Sequence, residues 1–205
     1  MRKALIICNG EPEQKKFLAK ACKGKYILCV DGGANTAAKY NIKPDAIVGD
    51  MDSVSSAAKK KFASSEWIQV NRQDNTDFEK ALNFIKQAKI KDVTIISATG
   101  KRLDFTLSNL YSAFKYLKDT KIVFESEFFK IVPVTGVRKF KTRPGVRVSL
   151  IPVGICKKVN LKGLKYPLKN ANLKVTDTLT LSNEALAKEI EISLEKGRIL
   201  VYIEK

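Results

Sequence analysis

Ile27-Leu28-Cys29-Val30-Asp31-Gly32-Gly33-Ala34-Asn35 runs from four apolar residues through a glycine pair into a segment with helical character. A short apolar run bounded by a turn predicts a buried strand, and the stretch from Ala34 to Tyr40 predicts a helix. Strand, glycine turn and helix form the repeating unit of a parallel sheet covered by helices. The same unit recurs on both sides. Further strands are predicted at Ala4 to Cys8, Ala46 to Val48, Trp67 to Val70, Val93 to Ile96 and Lys121 to Phe124. Helices are predicted at Gln14 to Ala21, Ser56 to Phe62, Asp77 to Ala88 and Asp104 to Leu117. In the Asp77 segment, Phe78, Ala81, Leu82 and Ile85 share one helical face.

The texture changes after about Ser126. Alternating stretches such as Val146-Arg147-Val148-Ser149-Leu150 and Ile190-Glu191-Ile192-Ser193-Leu194, with turns at Arg143-Pro144-Gly145 and Lys196-Gly197, predict an all-β module. Ile199 to Ile203 reads as its closing strand. Two modules are therefore expected: α/β over 1–125, with a mostly parallel sheet covered by helices, and all-β over 126–205.

With 205 residues, 44% hydrophobic and 29% charged, the chain can bury a substantial core. No apolar run approaches the roughly 18 residues of a membrane helix. The opening Met1-Arg2-Lys3, followed only by Ala4 to Cys8, is too short for a signal peptide, so a cytosolic protein without a membrane role is expected. Cys8, Cys22, Cys29 and Cys156 show no Cys-x-x-Cys spacing, which argues against a disulfide or zinc role. Histidine is absent altogether. That removes Ser-His and Cys-His nucleophile pairs and imidazole metal sites, leaving oxygen donors for a hard cation such as magnesium, calcium or manganese. The formal charge of +17 raises the possibility of nucleic-acid binding. Its lysines, however, are scattered from Lys3 to Lys205 without an aromatic-basic platform, which favours a solvated surface that also attracts anionic nucleotides.

Four motifs follow predicted strands: Asp31 to Asn35, Gly49-Asp50-Met51-Asp52-Ser53, Asp74-Asn75-Thr76-Asp77, and Gly100-Lys101-Arg102-Leu103-Asp104. In an open α/β sheet, such loops gather in one crevice at the carboxyl ends of the strands. Gly32 and Gly33 either let backbone amides approach a phosphate or serve a tight turn. Asp50 and Asp52, two residues apart, would point the same way from an extended backbone and suit a hard cation; alternatively Asp52 or Ser53 caps the next helix. Thr76 and Glu79 fit a capping box, while Asp77 either offsets the helix dipole or joins a metal cluster. Asp74 has no capping duty. Arg102 is placed to clamp a phosphate, with Asp104 as helix cap or orienting partner.

In this order, the motifs resemble the thiamine pyrophosphokinase family, whose bacterial members carry Asp-Gly-Gly-Ala-Asn, then Pro-Asp-x-Ile-x-Gly-Asp-x-Asp-Ser, then Asp-x-Thr-Asp-x-Glu-Lys-Ala. Here these read Asp31 to Asn35, Pro44 to Ser53, and Asp74 to Ala81. The family's Gly-Arg-x-Asp-His segment appears as Lys101-Arg102-Leu103-Asp104-Phe105, with phenylalanine in place of the usual histidine. Gly163 to Leu168 and Leu181-Ser182-Asn183 resemble segments of its thiamine-binding part.

The resemblance implies a Rossmann-like ATP-binding catalytic domain followed by a thiamine-binding β-sandwich, assembled as a homodimer. It implies magnesium-dependent transfer of pyrophosphate from ATP to the thiamine hydroxyl, giving thiamine diphosphate and AMP. Asp50, Asp52, Asp74 and Asp77 are the expected metal and catalytic acids, with Arg102 beside them. Asp31, Gly32, Gly33, Asn35, Arg102 and Asp104 are expected to hold ATP. Tyr166, Ser182 and Asn183 are expected to meet thiamine. Two alternatives remain: a pyrophosphokinase acting on another hydroxymethyl heterocycle, such as a pterin, and, less favoured, a basic nucleic-acid-binding protein.

Overall fold

The computed structural model describes residues 3–70 and 74–205; the opening Met1-Arg2 and residues 71–73 lie outside them. The chain is mixed α/β, with a large sheet and a second, antiparallel sheet. It divides into two compact units, 1–127 and 128–205.

The first unit alternates strands and helices: β1 (Lys3–Ile7), α1 (Lys15–Cys22), β2 (Tyr26–Val30), α2 (Gly33–Lys39), β3 (Ala46–Gly49), α3 (Ser56–Lys61), β4 (Glu66–Gln69), α4 (Asp77–Gln87), β5 (Asp92–Ile96), α5 (Leu103–Ser112) and β6 (Lys121–Glu125). Its strand pairings are parallel, in the order β6-β5-β1-β2-β3-β4. The chain thus builds outward from β1 to β4 on one side and through β5 to β6 on the other. The winding reverses between β1 and β5, which is where open α/β sheets bind ligands.

The core explains why these segments adopt these forms. Leu5, Ile7, Cys29, Ile47 and Ile96 of the strands pack with Leu18, Ala34, Ala37, Ala58 and Phe62 in one buried cluster. On α4, Phe78, Ala81, Leu82 and Ile85 are all buried, as helical spacing requires. Each of the larger three contributes about 1.5–3 kcal/mol by leaving water. Thr76 accepts from the Glu79 amide at 3.2 Å and Glu79 accepts from the Thr76 amide at 3.5 Å, so the capping box is formed. The last helix is shorter than its sequence predicts. It ends at Ser112, where the Ser112 hydroxyl donates to the Asn109 carbonyl at 3.3 Å, and a 3-10 turn takes over at Ala113–Tyr116.

The second unit consists of β7 (Phe129–Val134), β8 (Val137–Lys141), β9 (Arg147–Pro152), β10 (Cys156–Lys162), β11 (Leu168–Leu173), β12 (Asn183–Glu184), β13 (Glu189–Ser193) and β14 (Ile199–Glu204). Its pairings are antiparallel, in the orders β12-β9-β14-β7 and β11-β10-β13-β8. Alternation places Val148 and Leu150 of β9, and Ile190 and Ile192 of β13, in the interior. The predicted closing strand, β14, pairs on one side with β7 and on the other with β9. All four cysteines are free thiols. No helix among the described residues is long and apolar enough to cross a membrane.

Candidate active site

The loops leaving β1, β2, β3 and β5 surround a cavity of about 420 Å³ in the first unit. Parallel strands of matched register end level, so residues distant in sequence meet there. Asp31, Asp50, Asp52, Asp77 and Arg102 all line it.

Asp31 follows β2 with φ of 42° and is buried; its amide donates to the Val48 carbonyl at 2.9 Å, and its Oδ1 accepts from the Ser53 amide at 3.3 Å. Asp50 follows β3. Asp77 occupies the first turn of α4, and its Oδ1 accepts from Lys80 Nζ at 2.9 Å, with the Lys80 side chain only 6% exposed. Asp31, Asp50 and Asp77 each bring one oxygen into a group whose members lie within 4.8 Å of one another. Burial raises the Asp77 carboxyl above its ordinary range; Lys80 pulls it back, and the charges of Asp50 and Asp31 push it up again. Three carboxylates, with no nitrogen or sulfur donor among them, suit a hard divalent cation.

This grouping differs from the one expected from spacing. The strand ends at Gly49, Met51 takes φ of 68°, and Asp50 Oδ1 accepts from the Asp52 amide at 3.1 Å, a local turn that breaks the extended geometry. Asp50 and Asp52 therefore do not project as a matched pair, and Asp52 lines the cavity without joining the carboxylate group. Asp74 is exposed and also lies outside that group. Asp31 supplies the third oxygen because β2 and β3 are neighbours in the sheet, an adjacency that residue spacing does not carry.

Gly49 makes the grouping possible. Its φ is 152°, and a Cβ there would lie 3.0 Å from Asp31 Cβ and 3.4 Å from Asp77 Cγ. Gly32 and Gly33 also permit close approach, but to protein: a Cβ would lie 2.3 Å from the Asn9 side chain at Gly32 and 2.2 Å from the Ile7 carbonyl at Gly33. Asn35 is engaged locally, donating to the Ser53 carbonyl at 2.8 Å and accepting from the Ser55 amide at 2.9 Å. It ties α2 to the loop that carries Asp50 and Asp52.

Arg102, which lines the same cavity, donates to Asp104 from Nε at 3.1 Å and from Nη2 at 2.5 Å. Arg102 itself is the residue before α5, and the Asp104 side chain orients Arg102 rather than capping from the N-cap position. The loop after β1 was not singled out from sequence, yet Asn9 and Gly10 line the cavity and Lys101 Nζ donates to the Asn9 carbonyl at 3.0 Å. An Asn-Gly pair directly after the first strand was the available signal.

In the second unit, Tyr166 is exposed, and its amide donates to Asn183 Oδ1 at 3.0 Å while Asn183 Nδ2 donates to the Tyr166 carbonyl at 2.8 Å. Asn183 is buried, and this pair of hydrogen bonds pins the 163–168 segment to β12. Ser182 is exposed with φ of 54°.

Residues 18–124 match the model of the thiamin pyrophosphokinase catalytic domain, and residues 134–199 match the thiamin pyrophosphokinase vitamin B1 binding domain. The chain belongs to the thiamin pyrophosphokinase family. Thiamine pyrophosphokinase 1 of Arabidopsis thaliana is 27% identical over 232 residues, covering 98% of this chain and 85% of the relative. Thiamine pyrophosphokinase of Bacillus subtilis is 27% identical over 181 residues, covering 85% and 84%. Among solved structures, the Bacillus subtilis thiamine pyrophosphokinase superposes with a TM-score of 0.86 at 23% identity, covering 100% of this chain and 99% of that one. The Candida albicans thiamin pyrophosphokinase gives 0.84 at 22%, covering 99% and 88%. At such identities the superpositions establish the fold.

Proposed function

We propose that this chain is a thiamine diphosphokinase, transferring pyrophosphate from ATP to the thiamine hydroxyl to give thiamine diphosphate and AMP. The observation that carries the reading is the convergence of Asp31, Asp50 and Asp77 in one cavity with Arg102, at the reversal point of a sheet belonging to this family. On this reading the first unit is a Rossmann-like ATP-binding domain. The second is a thiamine-binding β-sandwich, and the protein works as a cytoplasmic homodimer.

In-line attack of a hydroxyl on the β-phosphorus asks mainly for positioning and charge neutralisation. Asp31, Asp50 and Asp77 are the residues that would hold magnesium. An ion held there would supply charge neutralisation to the phosphates. Arg102 meets a phosphate with the N–H groups that Asp104 leaves free. Asp52, in the cavity but outside the carboxylate group, is the first choice to accept the hydroxyl proton. Gly32, Gly33 and Asn35 serve the ATP site from behind its lining, the glycines packing against Asn9 and the Ile7 carbonyl and Asn35 bracing the loop that carries Asp50 and Asp52. In the second unit, Tyr166 offers an aromatic face and Ser182 a hydroxyl to thiamine, while Asn183 holds Tyr166 in place.

The test is AMP formation from ATP and magnesium with and without thiamine. Thiamine-dependent AMP supports the assignment. Thiamine-independent AMP, or AMP released only with a pterin alcohol, assigns the scaffold to another acceptor.

A further inference from the structure

Arg102 is well placed but poorly anchored by ordinary standards, because its side chain is 67% exposed and so is 63% of its partner Asp104. An exposed ion pair alone orders a long side chain weakly. A third contact completes the arrangement: the Arg102 guanidinium carbon lies 4.3 Å from the centroid of the Phe105 ring. Helical side chains lean toward the N-terminus of their own helix, so a residue in the first turn of α5 covers the residue that precedes the helix. The Phe105 amide also donates to Asp104 Oδ1 at 2.9 Å, so one carboxylate fixes both the arginine and the backbone that carries the ring.

The consequence is a guanidinium held on one edge by a carboxylate and on one face by a ring. Of the five N–H donors of an arginine, Asp104 takes one on Nε and one on Nη2, leaving three, including both on Nη1. Phe105 and Arg102 line the same cavity as the carboxylate group, and Phe105 remains 44% exposed there. A half-exposed phenylalanine gains only part of what full burial gives, and its contact with Arg102 is the specific interaction that the ring makes. Hydrogen bonding to Arg102 first, and to the Phe105 amide next, holds the Asp104 carboxyl below its usual range.

We propose that Phe105 is a positioning residue: its ring holds the Arg102 guanidinium, already paired with Asp104, in the orientation that receives a phosphate of the nucleotide. The inference rests on the reading that this cavity takes ATP. Phe105 acts through Arg102 and makes no demand of its own on the ligand.

The test is a double-mutant cycle on ATP affinity, measured by calorimetry with magnesium present, using Phe105→Leu, Phe105→Tyr, Arg102→Ala and the Phe105→Leu/Arg102→Ala double variant. Leucine keeps bulk without a ring face, and losing an exposed cation–π contact corresponds to about a two- to five-fold loss in affinity. Expected results are that loss for Phe105→Leu, recovery to near the native value for Phe105→Tyr, and no further loss when Phe105→Leu is added to Arg102→Ala. An equal loss from Phe105→Leu in both backgrounds overturns the proposal, as does a tyrosine variant as weak as the leucine one. Thiamine-dependent AMP formation by the native protein is measured alongside. Native activity without coupling between the two residues sinks the inference alone, whereas coupling in ATP affinity without thiamine-dependent AMP sinks the thiamine reading and leaves the inference standing. Absence of ATP binding overturns both.

Discussion

Replacing Gly49 by alanine sets the geometry of the carboxylate group against the backbone that carries it. The glycine has φ of 152°, which an L side chain rarely adopts, and the added Cβ would meet Asp31 Cβ at 3.0 Å and Asp77 Cγ at 3.4 Å. Backbone strain of this kind costs about 1–3 kcal/mol, and forcing a methyl into a packed site costs about 1–3 kcal/mol more, part of it relieved by movement. The movement matters most, because the atoms that must yield belong to two of the three grouped aspartates. Urea unfolding should register a loss of about 2–4 kcal/mol, and the magnesium concentration giving half-maximal activity should rise. Gly145→Ala is the control: φ there is 87° with no atom within 4 Å of the added Cβ, so it carries a conformational cost of about 1–2 kcal/mol without contact. If Gly49→Ala destabilises no more than Gly145→Ala and leaves the magnesium requirement unchanged, the close packing of Asp31 and Asp77 around Gly49 is not what forms the site.

Two further outcomes follow from the same region. Thr76→Ala removes the side-chain half of the capping box at the start of α4 and should cost about 0.5–2 kcal/mol in urea unfolding, with thiamine-dependent activity falling because Asp77 loses its firm helical start; unchanged stability would mean that the cap is redundant. Because burial raises the Asp77 carboxyl, ionising it in the metal-free protein opposes folding: its contribution to stability is fullest below the unfolded carboxyl pKa and is lost as pH rises through the raised folded value. A bound cation favours the ionised form, so the gain in melting temperature on adding magnesium should grow from pH 5 to pH 8. An equal gain at both would separate Asp77 from the metal.

Local signals were legible where local physics dominates. The six strands of the first unit were predictable because buried parallel strands are short apolar runs, and the capping box because it is written in residues three apart. The glycine pair admits either a phosphate or a tight turn, and the sequence does not say what approaches it; the Ile7 carbonyl and Asn9 side chain are neighbours only in the folded sheet. The membership of the carboxylate group was hidden for the same reason. Periodicity pairs Asp50 with Asp52 on the assumption of extended backbone, whereas the positive φ of Met51 breaks that geometry and the pairing of β2 with β3 brings in Asp31. Asn183 offers an amide to a ligand in the sequence, yet its burial and its two hydrogen bonds to the Tyr166 backbone give that amide a structural duty. The Phe105 ring became interpretable only when its distance to Arg102 was known.

The most direct test of the account is the thiamine-dependent conversion of ATP to AMP by Asp50→Asn, which removes one charge from the group of three and keeps its shape. The account predicts that the variant folds, retains the two-unit architecture, and loses at least about a hundred-fold in rate, since a displaced magnesium ion removes several kcal/mol of charge stabilisation. A folded Asp50→Asn protein with native activity and native magnesium dependence would contradict it.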